Sequence, residues 1–147
     1  MKSLEKKLAR IAKSLGFRQE KEYPLRTKES ERGRIGKVDF VWLKDIPLVG
    51  AIPVVGFEIE TSWRTSKHLK GDVYNLFCLN SAVGIVLFIK EGFDAPELKG
   101  HMDAVKRYSK LLFTNSRTLA WTEEDVEKLE QELFSLNTNI KQDEANT

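Results

Sequence analysis

Three acidic residues stand inside two apolar segments of the chain. Asp39 lies within residues 38–42, and Glu58 and Glu60 lie within residues 54–61. Side chains of a strand alternate between the two faces of a sheet, so Glu58 and Glu60 share one face. If the two segments pair as neighbouring strands, all three carboxylates converge on one patch.

Converging carboxylates repel one another and are costly to desolvate, so they need a cation, bound protons or abundant water. Oxygen ligands without convergent Cys or His favour a hard ion, Mg²⁺ or Mn²⁺, over zinc. The pattern therefore indicates a metal-dependent hydrolytic site. The alternative is that the acids lie on the solvated face of an antiparallel strand, which is a common arrangement.

Two polar segments near the acids carry cations that suit a phosphate backbone. One is residues 61–70, directly after the second acidic segment, and the other is the loop formed by residues 28–36. An ordinary solvated helix start and an ordinary solvated turn are the alternatives for these two segments. The candidate nucleic-acid contacts in them are Arg32, Arg34, Ser62, Arg64, Lys67 and Lys70.

Length and composition favour a single domain. The chain has 147 residues, of which 41% are hydrophobic, enough for one core. With 24 Lys and Arg against 22 Asp and Glu, the net charge of +2 is too small to indicate a nucleic-acid partner by itself. The one cysteine, Cys78, excludes an intramolecular disulfide and a thiolate metal site, and its apolar neighbours predict a buried, inert thiol.

The sequence predicts no targeting or membrane segment. Residues 1–16 alternate charged and apolar positions as an amphipathic helix does, without the continuous apolar core of a signal peptide. The longest apolar run, residues 82–89, is far too short to cross a bilayer. We therefore expect a cytoplasmic protein with no membrane partner.

Periodicity predicts an α/β order of elements. The first half reads as a helix over 3–15, a weak strand over 17–27, strands over 37–43 and 54–61, and a turn or irregular excursion over 45–53. The second half reads as a helix over 66–79, a buried strand over 82–89, a helix over 96–112, a strand over 117–121 and a helix from 122 to 136. Thr65 or Ser66 is the expected N-cap of the second helix and Asn80 its end. The expected fold is a sandwich with a mixed sheet in one domain, 1–136, followed by a disordered polar tail, 137–147.

This order and its acids resemble the PD-(D/E)xK nuclease superfamily, which has the restriction-endonuclease-like fold and includes archaeal Holliday-junction resolvases. The family core of helix, three strands, helix and strand corresponds to residues 3–90. Asp39 stands at the first motif acid, and Glu58, Ile59 and Glu60 stand at the (D/E)xK tripeptide. Val38 replaces the motif proline and Glu60 replaces the motif lysine.

The resemblance implies a Mg²⁺-dependent endonuclease that hydrolyses the phosphodiester bonds of DNA. Asp39 and Glu58 would hold one or two Mg²⁺ or Mn²⁺ ions, with the Ile59 carbonyl as a further ligand. Glu60 would orient or deprotonate the attacking water, as a second glutamate stands there in some similar type II restriction enzymes. Lys67 or Lys70 would take over the lysine function, and Glu5 would be an outer-sphere ligand. No organic cofactor is implied.

The chain has no room for a separate specificity domain, so we expect a homodimer that presents two sites. The missing lysine keeps a second hypothesis open, a catalytically inactive nucleic-acid-binding or protein-interaction module on the same fold. A nuclease directed at RNA is a third. Cleavage of both polymers, compared between the wild type and acid-to-neutral variants, distinguishes the three.

Overall fold

The computed structural model describes residues 1–26, 34–62, 68–112 and 117–146. The helices are α1 (Lys2–Ser14), α2 (Leu69–Leu79), α3 (Ala95–Leu112) and α4 (Glu123–Ala145), and a short 3-10 turn spans Lys90–Gly92. The strands are β1 (Arg18–Arg26), β2 (Arg34–Ile46), β3 (Gly50–Glu60), β4 (Val83–Phe88) and β5 (Arg117–Thr122). The predicted α/β class and the predicted order of these elements are confirmed.

The five strands form one mixed sheet in the order β1-β2-β3-β4-β5. Strand β2 is antiparallel to β1 and to β3, whereas β4 and β5 run parallel to β3. The expected hairpin between the two acidic strands is confirmed, with Phe40 opposite Phe57. Strand β4 is the buried strand that the unbroken apolar run predicts.

The hairpin is more regular than the sequence suggests. Residues 45–53 are predicted to be a turn or an irregular excursion, but β2 continues to Ile46 and β3 starts at Gly50. Positive φ angles at Leu48 and Gly50 allow the tight turn between them. Pro53 is accommodated beside the register shift between Trp42 and Leu43, where a missing N–H donor costs the ladder least.

Helices cover both faces of the sheet and create two apolar layers. Helices α2 and α3 pack on one face, where the core includes Val41, Leu43, Leu69, Val73, Leu76, Val86, Phe88 and Val105. Helices α1 and α4 pack on the other, where it includes Leu8, Ile11, Phe40, Trp42, Phe57, Leu87 and Val126. Because side chains alternate along β2 and β3, Asp39 and Glu58 belong to the face that α2 covers.

The structure confirms the predicted end of α2, and it describes the start of this helix only from His68 onwards. The helix begins at Leu69 with His68 as its N-cap, and the predicted caps Thr65 and Ser66 lie outside the described residues. Asn80 ends the helix as predicted, with a left-handed φ of 55°.

Helix α4 extends further than the apolar period predicts. The capping box at its start is confirmed, since Asp125 Oδ2 accepts the Thr122 N–H at 2.8 Å. The tail expected to be disordered from residue 137 is instead helical to Ala145. Its backbone hydrogen bonds are local and no Gly or Pro interrupts residues 123–145, so the helix continues without a core to pack on. Within the described residues, no helix combines the length and apolarity that crossing a bilayer requires.

Gly92 lies where the turn after β4 touches the end of β3. A Cβ atom added there would stand 1.8 Å from the Thr61 carbonyl oxygen, so the backbone would have to move. We expect Gly92→Ala to lower the free energy of unfolding by about 1–3 kcal/mol, as overpacking does. Urea denaturation measures this change. Gly100→Ala in α3 is the control, because a Cβ there meets nothing within 4 Å. Equal stability of the two variants would contradict the contact between Gly92 and Thr61.

Candidate active site

Asp39 and Glu58 lie next to each other on β2 and β3, immediately beyond the Phe40–Phe57 pair. Asp39 Oδ2 accepts the backbone N–H of Ile59 at 2.7 Å, which fixes this carboxylate against β3. Glu58 is only 5% exposed. The end of the hairpin thus places two carboxyl groups under α2.

Glu58 is held by an amide from α2. Asn75 Nδ2 donates to Glu58 Oε1 at 3.4 Å. Gly36 on β2 leaves room for Asn75, because a Cβ there would stand 2.9 Å from Asn75 Oδ1. Burial, followed by the negative charge of Asp39, raises the pKa of Glu58 to about 10. Without a cation, Glu58 is therefore protonated at neutral pH, and its hydrogen bond with Asp39 favours that neutral form.

Glu60 and Asp72 form the second half of the site. Glu60 is 8% exposed, and Asp72 reaches it from the first turn of α2. Burial, followed by hydrogen bonding to Glu60, raises the pKa of Asp72 well above its usual range. The Asp72 Oδ2 atom is buried and has no hydrogen-bond partner among the described residues.

The pair of Asp39 and Glu58 interacts electrostatically with the pair of Glu60 and Asp72. The charge of Asp39 acts on both Glu58 and Asp72, and the charge of Asp72 acts on Glu58. We call Asp39, Glu58, Glu60 and Asp72 the acid cluster. The low exposure of Glu58 and Glu60 shows that these two acids do not lie on a solvated strand face, which was the alternative reading of their sequence pattern.

Asp72 and Asn75 were not among the candidates that the sequence suggested. A signal for Asp72 was present, because it is spaced with Leu69, Val73 and Leu76 on the helix face that becomes buried. An acid in the apolar stripe of a helix is as unusual as an acid in an apolar strand. For Asn75 the sequence offers no comparable signal, since amides are frequent on helix surfaces.

The structure does not bring every predicted site residue to the acid cluster. Lys70 Nζ lies 5.5 Å from the centre of the Tyr108 ring, so this lysine is directed towards α3. Glu5 belongs to α1 on the opposite face of the sheet, and its Oε2 lies 3.7 Å from Lys21 Nζ. The Ile59 N–H is bonded to Asp39, whereas the role of the Ile59 carbonyl as a metal ligand stays a prediction.

The remaining predicted contacts surround the described part of the site. Ser62 follows β3 directly and is half-buried. Arg34 starts β2, but its side chain is outside the described part of the structure. Three further predicted residues lie entirely outside the described residues: Arg32, Arg64 and Lys67. Their roles stay predictions.

The acid cluster lacks a compensating protein cation among the described side chains, where no Lys or Arg forms an ion pair with any of its four members. In the same part of the chain, no three His, Cys, Asp or Glu residues are grouped closely enough to hold a metal ion. Hydrogen bonding to Asp39 contributes to the raised pKa of Glu58, and hydrogen bonding to Glu60 contributes to the raised pKa of Asp72. An all-oxygen donor set with a buried, unpartnered oxygen at Asp72 fits a hard divalent cation, provided that the carboxyl groups ionise and turn towards it.

The raised pKa of Glu58 predicts an unusual pH dependence of stability. Glu58 keeps a proton in the folded state up to a pKa of about 10, whereas in the unfolded chain it loses it near its ordinary value of 4.5. The folded state therefore binds more protons between these values, and the free energy of unfolding must fall as pH rises. We expect this fall from roughly pH 5 to pH 9 in EDTA, measured by urea denaturation.

The matched variants are Glu58→Gln, which should reduce that pH dependence to the part that the raised pKa of Asp72 contributes, and Glu91→Gln at an exposed position, which should leave it unchanged. Addition of Mg²⁺ should restore stability at high pH, because the ion stabilises the ionised cluster. Constant or rising stability of the wild type over this pH range would show that Glu58 is not protonated in the folded protein.

Comparison of the chain with protein-family models, with curated proteins and with solved structures finds no match. The functional conclusion therefore rests on the acid cluster and on the fold that assembles it.

Proposed function

We propose that this protein is a metal-dependent endonuclease that hydrolyses phosphodiester bonds of DNA, built on a restriction-endonuclease-like sandwich. The observation that supports this most strongly is the burial of two carboxyl groups on β3, Glu58 and Glu60, beside the partly buried carboxyl groups of Asp39 on β2 and Asp72 on α2. The order of the elements and the mixed sheet agree with what the resemblance to that superfamily implies.

A phosphodiesterase must neutralise the scissile phosphate, activate a water molecule and stabilise the leaving oxygen. Asp39 and Glu58 are the residues that would hold Mg²⁺ or Mn²⁺, and Asp72 offers a third carboxylate with a free oxygen. The bound ion supplies charge neutralisation and lowers the pKa of water. Glu60 would orient or deprotonate the attacking water from its position at the end of β3.

One of the two lysines predicted to replace the motif lysine remains a candidate. Lys70 contacts Tyr108 and is directed away from the acid cluster. Lys67 therefore remains the predicted residue that stabilises the developing negative charge of the transition state.

Cleavage of supercoiled plasmid, a four-way DNA junction and single-stranded RNA, each with Mg²⁺, Mn²⁺ or EDTA, tests this function. We expect metal-dependent cleavage of DNA and none in EDTA. Cleavage of RNA alone would instead support the RNA-directed hypothesis. An absence of cleavage on all three substrates would contradict the proposed activity.

A non-catalytic nucleic-acid-binding or protein-interaction module on the same fold is the second candidate. The observation that favours it is the absence of a basic partner for the acid cluster among the described side chains. This hypothesis predicts DNA affinity that is the same in Mg²⁺ and in EDTA. The endonuclease hypothesis predicts affinity or product formation that depends on the metal.

We also propose that the protein forms a homodimer through the projecting end of α4. Apolar residues recur at the spacing of a coiled-coil seam at Val126, Leu129, Leu133, Leu136 and Ile140. The first three pack on the body of the protein, whereas Leu136 and Ile140 are 56% and 55% exposed. A second copy of α4 would bury this end of the seam.

Charged substitutions on this seam test the dimer. We expect Leu136→Glu and Ile140→Glu to convert a dimer into a monomer, because an unpaired charge in the seam opposes association. Sedimentation velocity measures the change. Asn139→Glu, at an exposed position beside the seam, should leave the dimer intact. A wild-type protein that sediments as a monomer at all concentrations would contradict this proposal.

A further inference from the structure

A groove lined by aromatic and apolar side chains runs between α2 and α3. Its described lining consists of Lys70, Gly71 and Tyr74 from α2 and of Tyr108 and Leu111 from α3, and we call it the aromatic groove. Its volume of ≈ 490 Å³ lies within the range of about 300–1,000 Å³ that is typical of ligand pockets. The helix that forms one wall also carries Asp72 of the acid cluster.

The aromatic groove exposes apolar surface that the core does not use. Tyr74 is 48% exposed and Leu111 is 81% exposed. The Tyr74 ring contacts a second exposed ring of the same helix, since its centre lies 6.3 Å from that of Phe77. The result is an aromatic surface that is open to a ligand.

The charge of the aromatic groove is opposite to that of the acid cluster. Lys70 Nζ lies 5.5 Å from the centre of the Tyr108 ring, and no described lining residue is acidic. A cation in a groove that two tyrosines line matches a nucleotide, which combines a negative phosphate with a flat base. A purely apolar peptide would leave Lys70 without a complementary charge.

Gly71 leaves free space in the wall of the aromatic groove. A Cβ atom added there meets no atom within 4 Å. A larger side chain at this position would therefore occupy the groove without removing any group that lines it.

The aromatic groove and the acid cluster share helix α2. Lys70 and Asp72 are two residues apart in α2, so their Cα atoms are about 5–6 Å apart and their side chains point to different sides of the helix. Binding at both places requires that a substrate strand cross α2, with its scissile phosphate at the acid cluster and a neighbouring nucleotide at the groove. A base that is stacked and paired within a duplex cannot present its face to the tyrosines.

We propose that the aromatic groove binds an unpaired nucleobase of the substrate strand. The choice of a nucleobase as the ligand follows from the proposed function, on which this inference rests. Binding of an unpaired base in the aromatic groove would define the substrate class of the enzyme. This class is nucleic acid with unpaired nucleotides next to the scissile phosphate, as in single strands, flaps and open junctions.

Binding in EDTA separates this inference from catalysis. Fluorescence anisotropy would compare a labelled oligothymidylate with a blunt duplex of the same length, for the wild type, Tyr74→Leu, Tyr108→Leu and Gly71→Leu. We expect each variant to weaken single-strand binding at least about fivefold, which is the lower end of the effect of one base stacked on an aromatic ring. Duplex binding should change less than about twofold, since a duplex does not use the groove.

Two controls accompany these variants. Phe134→Leu removes an exposed aromatic ring from α4, outside the groove, and should bind both probes as the wild type does. Circular dichroism would verify the fold of each variant. If Tyr108→Leu does not fold because its half-buried ring packs on the core, Gly71→Leu still tests the groove, because leucine favours a helix and meets no clash.

Each outcome decides the inference. Unchanged single-strand binding in the folded groove variants would overturn it and would favour a protein segment as the occupant. Equal losses on both probes would overturn it in favour of a general backbone contact, and a wild type that does not bind oligothymidylate would overturn it outright. Loss of single-strand binding alone supports it, even if the wild type fails to cleave DNA, in which case only the proposed endonuclease activity fails.

Discussion

Asp39→Asn is expected to lower the rate of Mg²⁺-dependent DNA cleavage about a thousandfold. A metal ion contributes several kcal/mol to the stabilisation of transition-state charge, and the loss of an anionic ligand removes most of that contribution. The hydrogen bond from the Ile59 N–H to Asp39 Oδ2 can be kept by the asparagine amide oxygen, so strand pairing should survive. Single-turnover cleavage of plasmid, with folding monitored by circular dichroism, measures the effect.

Asp45→Asn is the matched control for this experiment. Asp45 lies on the same strand, but it is exposed and paired with Arg18, with Oδ1 3.0 Å from Arg18 Nη2. This variant should cleave at the wild-type rate. DNA binding by Asp39→Asn should be retained, because the substitution removes a charge of the same sign as the phosphate. Cleavage by Asp39→Asn within about tenfold of the wild type would exclude Asp39 as a metal ligand.

Asp72→Asn is expected to have opposite effects on activity and on stability. It removes one carboxylate from the site, so cleavage should fall about a hundredfold. It also removes a buried acid from a group of like charges, and the new amide can donate to Glu60. We therefore expect the metal-free variant to be about 1 kcal/mol more stable than the wild type at pH 8.

Plasmid cleavage and urea denaturation in EDTA measure these two effects on one preparation. Asp103→Asn in α3, outside the acid cluster, should change neither quantity. A loss of both stability and activity in Asp72→Asn would mean that Asp72 supports the fold. A gain of stability with unchanged activity would exclude it from the catalytic site.

The sequence predicts the scaffold of the site because periodicity reports directly on burial. Alternation along β2 and β3 places Glu58 and Glu60 on one face, and the structure keeps both under α2. The unbroken apolar run predicts β4, and the order of elements follows from these local signals. Burial of the acids could not be predicted, because strand alternation does not show which face a helix covers.

Features that depend on contacts between distant elements escape sequence reasoning. The position of Asp72 depends on how α2 is rotated against the sheet, and the direction of Lys70 depends on Tyr108 in α3. The regular strands around Pro53 depend on a register shift that absorbs the missing donor. The extension of α4 depends only on local hydrogen bonds, which an apolar period does not report.

Calorimetric titration of Mn²⁺ into the metal-free wild type tests most directly the central claim that the acid cluster binds a divalent cation. We predict saturable binding that is lost in Asp39→Asn and retained in Asp45→Asn. Absence of saturable binding to the wild type, with DNA affinity retained, would contradict the claim and would identify the protein as a non-catalytic module.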